Sequence, residues 1–244
     1  MRADINIKLE TPLELPIHYN HIIQAVVLRW LSDDNYSKFI HDTGYKYKKR
    51  QYKMYTFSKI YGKFSIDYNK KTITYFDNIM LSISSLENEF MKYIINTAII
   101  NDVVIGKTRG QVENITFKSL DLINKGRIRT KSPIVVYSTF LLEDKKKTYY
   151  YNPKEDEFES IIRNNLIKKY IAYYERDLQN KEFKIHPLGN LKESIVIYKG
   201  TVIKGWNGEF EIEGSPELIK IAYDTGLGSK NSQGFGCFEF VGRC

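Results

Sequence analysis

The order of apolar periodicities predicts an α+β chain in which one β-α-β-β-α-β unit is followed by a second. Two observations carry this reading. Alternating runs and helical stripes succeed one another in the same order in both halves, and no close residue-level repeat joins the halves, so only the element order is duplicated. Period-2 alternation marks a half-buried strand, and apolar spacings of three and four mark one face of a helix.

In the first half, Arg2–Leu9 alternates with Ile5, Ile7 and Leu9 on one face, a strand. Ile22, Val26 and Trp30 interleave with Ile23, Val27 and Leu31 as a helical face, and a second helical turn ends near His41. The basic and aromatic run Tyr45–Lys53 feeds a strand at Met54–Ile60. Phe64–Tyr68 and Thr72–Phe76 flank a hairpin turn, Ile79–Ile83 is a further strand, and Leu86–Ile100 carries a helical stripe. Asp102–Ile105 and Val112–Lys118 complete the unit as strands.

The second half opens on the apolar run Ile134–Leu142, read as its first strand. Phe158, Ile161, Ile162, Leu166, Ile171 and Tyr174 mark a helix, and Glu193–Tyr198 and Val202–Ile212 are strands. Ser215-Pro216-Glu217 is a helix start, with a capping serine, proline in the first turn, then an acid. A glycine-rich loop and a last strand through Cys237–Val241 follow. Each half thus has the split-βαβ, or ferredoxin-like, order. The boundary falls in Lys118–Lys131, dividing the chain into 1–122 and 123–244.

The chain has 244 residues and a formal net charge of +8, from 37 Lys and Arg against 29 Asp and Glu. That excess favours an anionic partner. Nineteen tyrosines add rings that pack in a core, stack on bases or bond phosphates. Cys237 and Cys244 form no CxxC pair and have no histidine cluster beside them, so neither a disulfide framework nor a zinc site is expected. No run of about 18 apolar residues is present, so no membrane span is expected. With no apolar signal region at Met1–Ile5, the chain reads as soluble and cytoplasmic.

The loop Gly226-Leu227-Gly228-Ser229-Lys230-Asn231-Ser232-Gln233-Gly234-Phe235-Gly236 is the densest chemical signal. Glycines allow positive φ and close approach, and such a loop is able to aim backbone N–H groups at a phosphate chain. Lys230, Asn231, Ser232 and Gln233 would assist. The alternative is a plain β-edge loop. Nucleotide motifs are excluded: GxxxxGK[ST] does not occur, and this loop runs from helix to strand, whereas dinucleotide loops run from strand to helix.

A loop of form GxGxxxxxGFG before the final strand resembles the signature of the CRISPR repeat-RNA endoribonucleases, Cas family number six of the RAMP superfamily. Leu15-Pro16-Ile17-His18-Tyr19-Asn20-His21 is similar to that family's entry to its first helix, and Phe39-Ile40-His41-Asp42 to the segment after it. Tyr52–Ser58 resembles its basic-aromatic strand, and Ser132–Val136 a strand opening its second half. The family is built from two ferredoxin-like (RRM-like) domains, in agreement with the halves read above.

The resemblance implies metal-independent RNA cleavage, in which the ribose 2′-OH attacks the adjacent phosphorus and leaves a 2′,3′-cyclic phosphate and a 5′-OH. That chemistry needs a proton acceptor, a proton donor and positive charge on the phosphorane. His41 matches the family's catalytic histidine and Lys53 its catalytic lysine. Lys46, Lys48, Lys49 and Arg50 are expected to neutralise phosphates, as are Arg129 and Lys131 between the halves. Gly226, Gly228, Ser229, Lys230, Asn231, Ser232, Gln233, Gly234 and Gly236 of the loop are expected to bind the RNA backbone.

One departure is Leu28, where some members carry a tyrosine. Either the role is absent or Tyr36 or Tyr45 fills it. His18 and His21 read as local packing or hydrogen-bonding groups, and no metal or other cofactor is expected. CRISPR repeat RNA is the expected partner, with other Cas effector-complex subunits and a homodimer left open. Two other functions remain beside the nuclease: a repeat-RNA-holding subunit with weak or no catalysis, and a basic ferredoxin-like enzyme for a small phosphorylated substrate.

Overall fold

The computed structural model describes residues 1–143 and 145–242. Its first half runs β1 (Arg2–Leu9), β2 (Leu13–Pro16), α1 (Asn20–Arg29), α2 (Asp34–Lys38), a π-helical turn (Phe39–Thr43), β3 (Tyr45–Tyr47), β4 (Arg50–Tyr52), β5 (Tyr55–Phe57), β6 (Tyr61–Asp67), β7 (Thr72–Ser85), α3 (Asn88–Ile100), β8 (Val103–Ile105) and β9 (Thr108–Lys118). The second half runs β10 (Lys125–Thr130), β11 (Tyr137–Leu142), β12 (Lys145–Tyr150), α4 (Asp156–Tyr174), β13 (Phe183–Tyr198), β14 (Thr201–Gly214), α5 (Pro216–Thr225), a 3-10 turn (Asn231–Gln233) and β15 (Phe238–Phe240).

Both sheets are antiparallel and have the ferredoxin-like strand order. In the first, β1 lies between β9 and β7. The long β7 pairs with β1 and β2 along one edge and with β5 and β6 along the other. The second is ordered β13-β14-β10-β15. The alternation in β1 buries Ala3, Ile5 and Ile7 completely, against Ile23, Val26 and Val27 of α1 and Phe90, Met91 and Ile94 of α3. A second core gathers Ile128, Phe158, Ile162, Leu166, Phe210, Ile212 and Leu218, and Tyr52, Met54 and Leu86 of the first half join it.

The strand expected over Ile134–Leu142 is corrected. The first strand of the second sheet is β10, whose sequence Lys-Gly-Arg-Ile-Arg-Thr has one apolar residue. Ile128 alone points into the core, while Lys125, Arg127 and Arg129 pair across the ladder with Glu213, Glu211 and Glu209 of β14. Cross-strand charge pairs stabilise such a strand without an apolar pattern. Ile134, Val135 and Val136 are fully buried but form only isolated bridges, Ile134 to Trp206 and Val135 to Gly228. They plug the space between β14 and the glycine loop. The rest of the run, β11, pairs only with β12 as a projecting hairpin.

The two sheets are joined through polar groups on the β1–β7 face away from α1 and α3. The Arg2 guanidinium donates to Phe238 O (2.5 Å) and Tyr223 O (3.2 Å) and lies 4.0 Å over the Tyr223 ring. Asp4, also buried, accepts from Ser82 Oγ at 2.5 Å and Lys118 Nζ at 2.6 Å. Burial pushes the Asp4 carboxyl up, but the hydrogen bonds from Lys118 and Ser82 outweigh it and hold Asp4 below its ordinary 3.8.

A carboxyl depressed on folding contributes stability that is present above the unfolded value and lost as pH falls through the folded one. Acid titration of unfolding should therefore show a loss of stability below about pH 4 that Asp4→Asn removes. Equal acid slopes in the two proteins would contradict this account of Asp4.

Among the described residues no helix is long and apolar enough to cross a membrane. Cys237 is fully buried, and Cys244 lies outside the described residues.

Candidate functional site

The hairpin β3–β4 brings the segment that carries His41 and Asp42 back beside Lys53. Its register Tyr45↔Tyr52 closes a loop whose two ends are Gly44 and Lys53. Gly44 is at φ +56, and a Cβ there would run into Tyr52 O and sit 3.0 Å from Lys53 Cδ. The π-helical turn just before Gly44 carries His41 and Asp42. A single wide turn at the end of a helix is a common device for re-aiming side chains at functional positions.

His41 is 60% exposed, and its Nδ1 lies 2.6 Å from Asp42 Oδ1. A carboxylate on Nδ1 fixes the tautomer and leaves Nε2 as the reactive nitrogen. The Asp42 charge also reaches Lys53. Burial pulls the Lys53 ammonium below its ordinary value, and Asp42 partly offsets this. Lys53 Nζ is buried and has no hydrogen-bond partner. A desolvated ammonium with no acceptor in the protein is poised for an anion.

Lys53 opens onto a cleft between the two halves, with a volume of about 730 Å³. Its walls include Arg50, Tyr52 and Lys53 from the first half, Lys168 and Lys169 from α4, and Ser229, Lys230, Asn231 and Ser232 from the glycine loop. Among the described residues, no ion pair engages Arg50, Lys53, Lys168, Lys169 or Lys230, or the neighbouring Lys46, Lys48 and Lys49.

Arg129 and Lys131 lie elsewhere and are already neutralised. Arg129 Nη2 meets Glu209 at 2.7 Å, and Arg127 shares the same carboxylate. Lys131 is 5% exposed and pairs with Glu239 at 3.4 Å. Their acidic partners on β14 and β15 are invisible in a linear reading.

In the loop Gly226–Gly236 six of the backbone N–H groups are bonded within the protein. Gly226 donates to Ala222 O, Leu227 to Gly236 O, Ser229 to Val135 O, Gln233 to Lys230 O, Gly234 to Asn231 O and Gly236 to Pro133 O, all at 2.8–2.9 Å. The backbone of Gly226, Gly228, Gly234 and Gly236 is buried and turned to positive φ. Asn231 is the hub. Its Nδ2 donates to Leu227 O (2.9 Å) and Phe235 O (3.0 Å), and its Oδ1 accepts from Lys169 Nζ at 2.8 Å. Gln233 O accepts from Asn20 Nδ2 of α1 at 2.8 Å, tying the loop to the first half. The loop residues that line the cleft are Ser229, Lys230, Asn231 and Ser232.

Lys169 went unread in the sequence. It is 3% exposed, and it also donates to Thr225 O (3.3 Å) and Gly226 O (2.8 Å), the last carbonyls of α5. Burial pulls its ammonium down to about 7. The signal was present: with Phe158, Ile162 and Leu166, a lysine at 169 continues the apolar stripe of α4.

The hydroxyls of the two tyrosines expected to replace the missing one are engaged or buried. Tyr45 OH donates to Glu87, and its ring packs on Phe39 and Tyr173. Tyr36 OH is buried without a partner, among Phe39 and Tyr93. Burial, followed by nearby acids, pushes both phenols up, so neither readily gives up a proton. Leu28 packs against the first core. His18, His21 and His41 form no cluster with other metal-binding side chains among the described residues. His21 instead makes an edge contact with Tyr198.

The family model described as CRISPR associated protein Cas6, C-terminal, matches residues 116–240. A protein of Methanocaldococcus jannaschii named CRISPR-associated endoribonuclease Cas6 1 is 32% identical over 243 residues, covering 97% of this chain and 91% of that one. This chain belongs to the Cas6 family. The CRISPR-associated endoribonuclease Cas6 of Pyrococcus furiosus is 35% identical to this Cas6 chain over 114 residues, 47% of this chain and 41% of that one. A solved structure of a Cas6-related gene product from Pyrococcus furiosus superposes with a TM-score of 0.86 at 26% identity, covering 99% and 98% of the two chains.

Proposed function

We propose that this chain is a sequence-specific endoribonuclease that cuts CRISPR repeat transcripts into guide RNAs, without a metal ion, by attack of a ribose 2′-OH on the neighbouring phosphorus. The products carry a 2′,3′-cyclic phosphate and a 5′-OH. The observation that carries the proposal is the unpartnered Lys53 ammonium on a cleft of unpaired cations, with Asp42, which holds the His41 imidazole, close enough to act on it. Residues 1–122 supply the proton-transfer and charge groups, and residues 123–244 supply the loop and α4.

His41 Nε2, free of the Asp42 contact, takes the 2′-OH proton. The imidazolium so formed is stabilised by Asp42 and gives a proton to the departing 5′ oxygen. Lys53 moves from its buried position onto the non-bridging oxygens and stabilises the charge of the phosphorane. No tyrosine completes the set, so His41 and Lys53 carry the reaction alone.

Lys53→Ala should lower single-turnover cleavage by roughly 10²–10³-fold, the usual cost of one transition-state charge contact, and Lys53→Arg should recover part of it. Cleavage by Lys53→Ala at the wild-type rate would remove lysine from the mechanism. Incubation of candidate repeat RNAs in EDTA, with analysis of the product ends, tests the reading as a whole. Cyclic phosphate ends in chelator are expected, and strict dependence on added divalent metal would sink it.

A further inference from the structure

Two cationic surfaces from different elements face each other at the mouth of the cleft. One is the turn of the β3–β4 hairpin, where Lys48 adopts φ 51 and Lys49 and Arg50 are exposed. The other is α4, where Lys168 stands one residue before the buried Lys169. The elements are held at a fixed spacing by the Tyr45 and Tyr173 rings, whose centroids are 5.2 Å apart. Burial, then repulsion from Arg50 and Lys48, lowers the Lys168 ammonium below its ordinary value.

Elsewhere in the chain, cations brought together by the fold are given acids: Arg127 and Arg129 share Glu209, and Lys125 lies between Glu211 and Glu213. Here three like charges converge with no ion-pair partner among the described residues. Like charges placed together at a packed junction repel, and an anion seated between them converts that cost into binding. Asn164, exposed on the same wall, adds a neutral hydrogen-bonding group.

We infer that Arg50 of the first half and Lys168 of the second form a phosphate seat that grips an internal phosphodiester of the RNA, away from the bond that is cut, so that the strand clamps the two halves together. The inference rests on the reading that RNA occupies the cleft. It adds to that reading a residue of α4 and a binding point separate from His41 and Lys53. Arginine suits the seat through its planar fork, and lysine adds a point charge. Phosphate contacts hold register without reading bases.

The test measures affinity against salt for two labelled RNAs. One is a repeat RNA blocked by a 2′-deoxy group at the scissile nucleotide; the other is poly(U) of matched length. The proteins are wild type, Arg50→Ala, Lys168→Ala, Lys168→Arg, and the control Lys92→Ala, whose lysine is exposed on α3 and paired with Glu89. Arg50→Ala and Lys168→Ala should each weaken both RNAs alike and reduce the slope of log affinity on log salt by about 1. Lys168→Arg should restore the slope, and the control should bind as wild type.

An unchanged slope in Lys168→Ala overturns the seat, as does weakening confined to the repeat RNA, which would indicate base reading instead. Loss of slope by these variants of a wild-type protein that does not cut unblocked repeat RNA would uphold the seat and refute the nuclease. A wild type that binds neither RNA refutes both.

Discussion

His41→Ala should abolish cleavage while leaving repeat RNA bound. The imidazole is 60% exposed and makes one side-chain contact, to Asp42, so its removal leaves the core intact. Loss of a positioned proton-transfer group costs roughly 10²–10⁴-fold in rate. Because the cationic cleft is untouched, affinity for a 2′-deoxy-blocked repeat should stay within about twofold of wild type, as expected when no phosphate contact is lost. Single-turnover cleavage and equilibrium binding, measured on one preparation, separate the two. If neither wild type nor variant cuts and both bind, the chain is an RNA-holding subunit, the reading that Leu28 in the core favours. Asp42→Asn should give a smaller loss, since it removes the anchor of the imidazole and leaves the imidazole itself.

Gly236→Ala should be the most damaging single-atom addition in the chain. The residue is at φ +76, and a Cβ would collide with Leu227 O and approach Asn231 Nδ2 to 2.7 Å. The strained backbone costs on the order of 1–3 kcal/mol and overpacking a similar amount, for a total of about 2–6 kcal/mol. Folded chains have roughly 5–15 kcal/mol to lose. Asn231 links the loop to Lys169 and the end of α5, so the disturbance spreads to the cleft wall. Gly189→Ala is the control, because Gly189 has φ +65 but nothing within 4 Å of an added Cβ. Urea unfolding should show Gly236→Ala well below Gly189→Ala, and equal midpoints would mean that the loop is not tightly packed.

This packing role for the loop adds to the one its composition suggests. Four glycines among polar residues read as a surface cradle because sequence does not reveal which N–H groups are already bonded. The partners of Gly236 N and Ser229 N, Pro133 O and Val135 O, lie about a hundred residues away. The tertiary fold likewise hides the acids that neutralise Arg129 and Lys131. Strand β10 was missed because its stability comes from pairing with Glu209, Glu211 and Glu213, not from an apolar face. The run Ile134–Val136 was misassigned because short apolar stretches look alike whether they are sheet strands or buried plugs.

The rest was legible because it depends on local periodicity. The stripes of α1, α3 and α4, the helix start of α5 and the alternation in β1 set both ferredoxin-like orders, and Ser215 caps α5 by accepting from Leu218 N, as its sequence predicts. His41 and Lys53 were reached by resemblance alone. The hairpin register that brings their segments together is a structural finding, as is the place of Lys168 and Lys169 on the cleft wall.

The central claim, attack by the ribose 2′-OH, is tested most directly by one pair of substrates. A repeat RNA that the wild-type chain cuts is compared in EDTA with the same RNA carrying a single 2′-deoxy substitution at the scissile nucleotide. The account predicts a 2′,3′-cyclic phosphate from the first and no cleavage of the second, with equal affinity for both. Cleavage of the deoxy-substituted RNA at the same bond would contradict it.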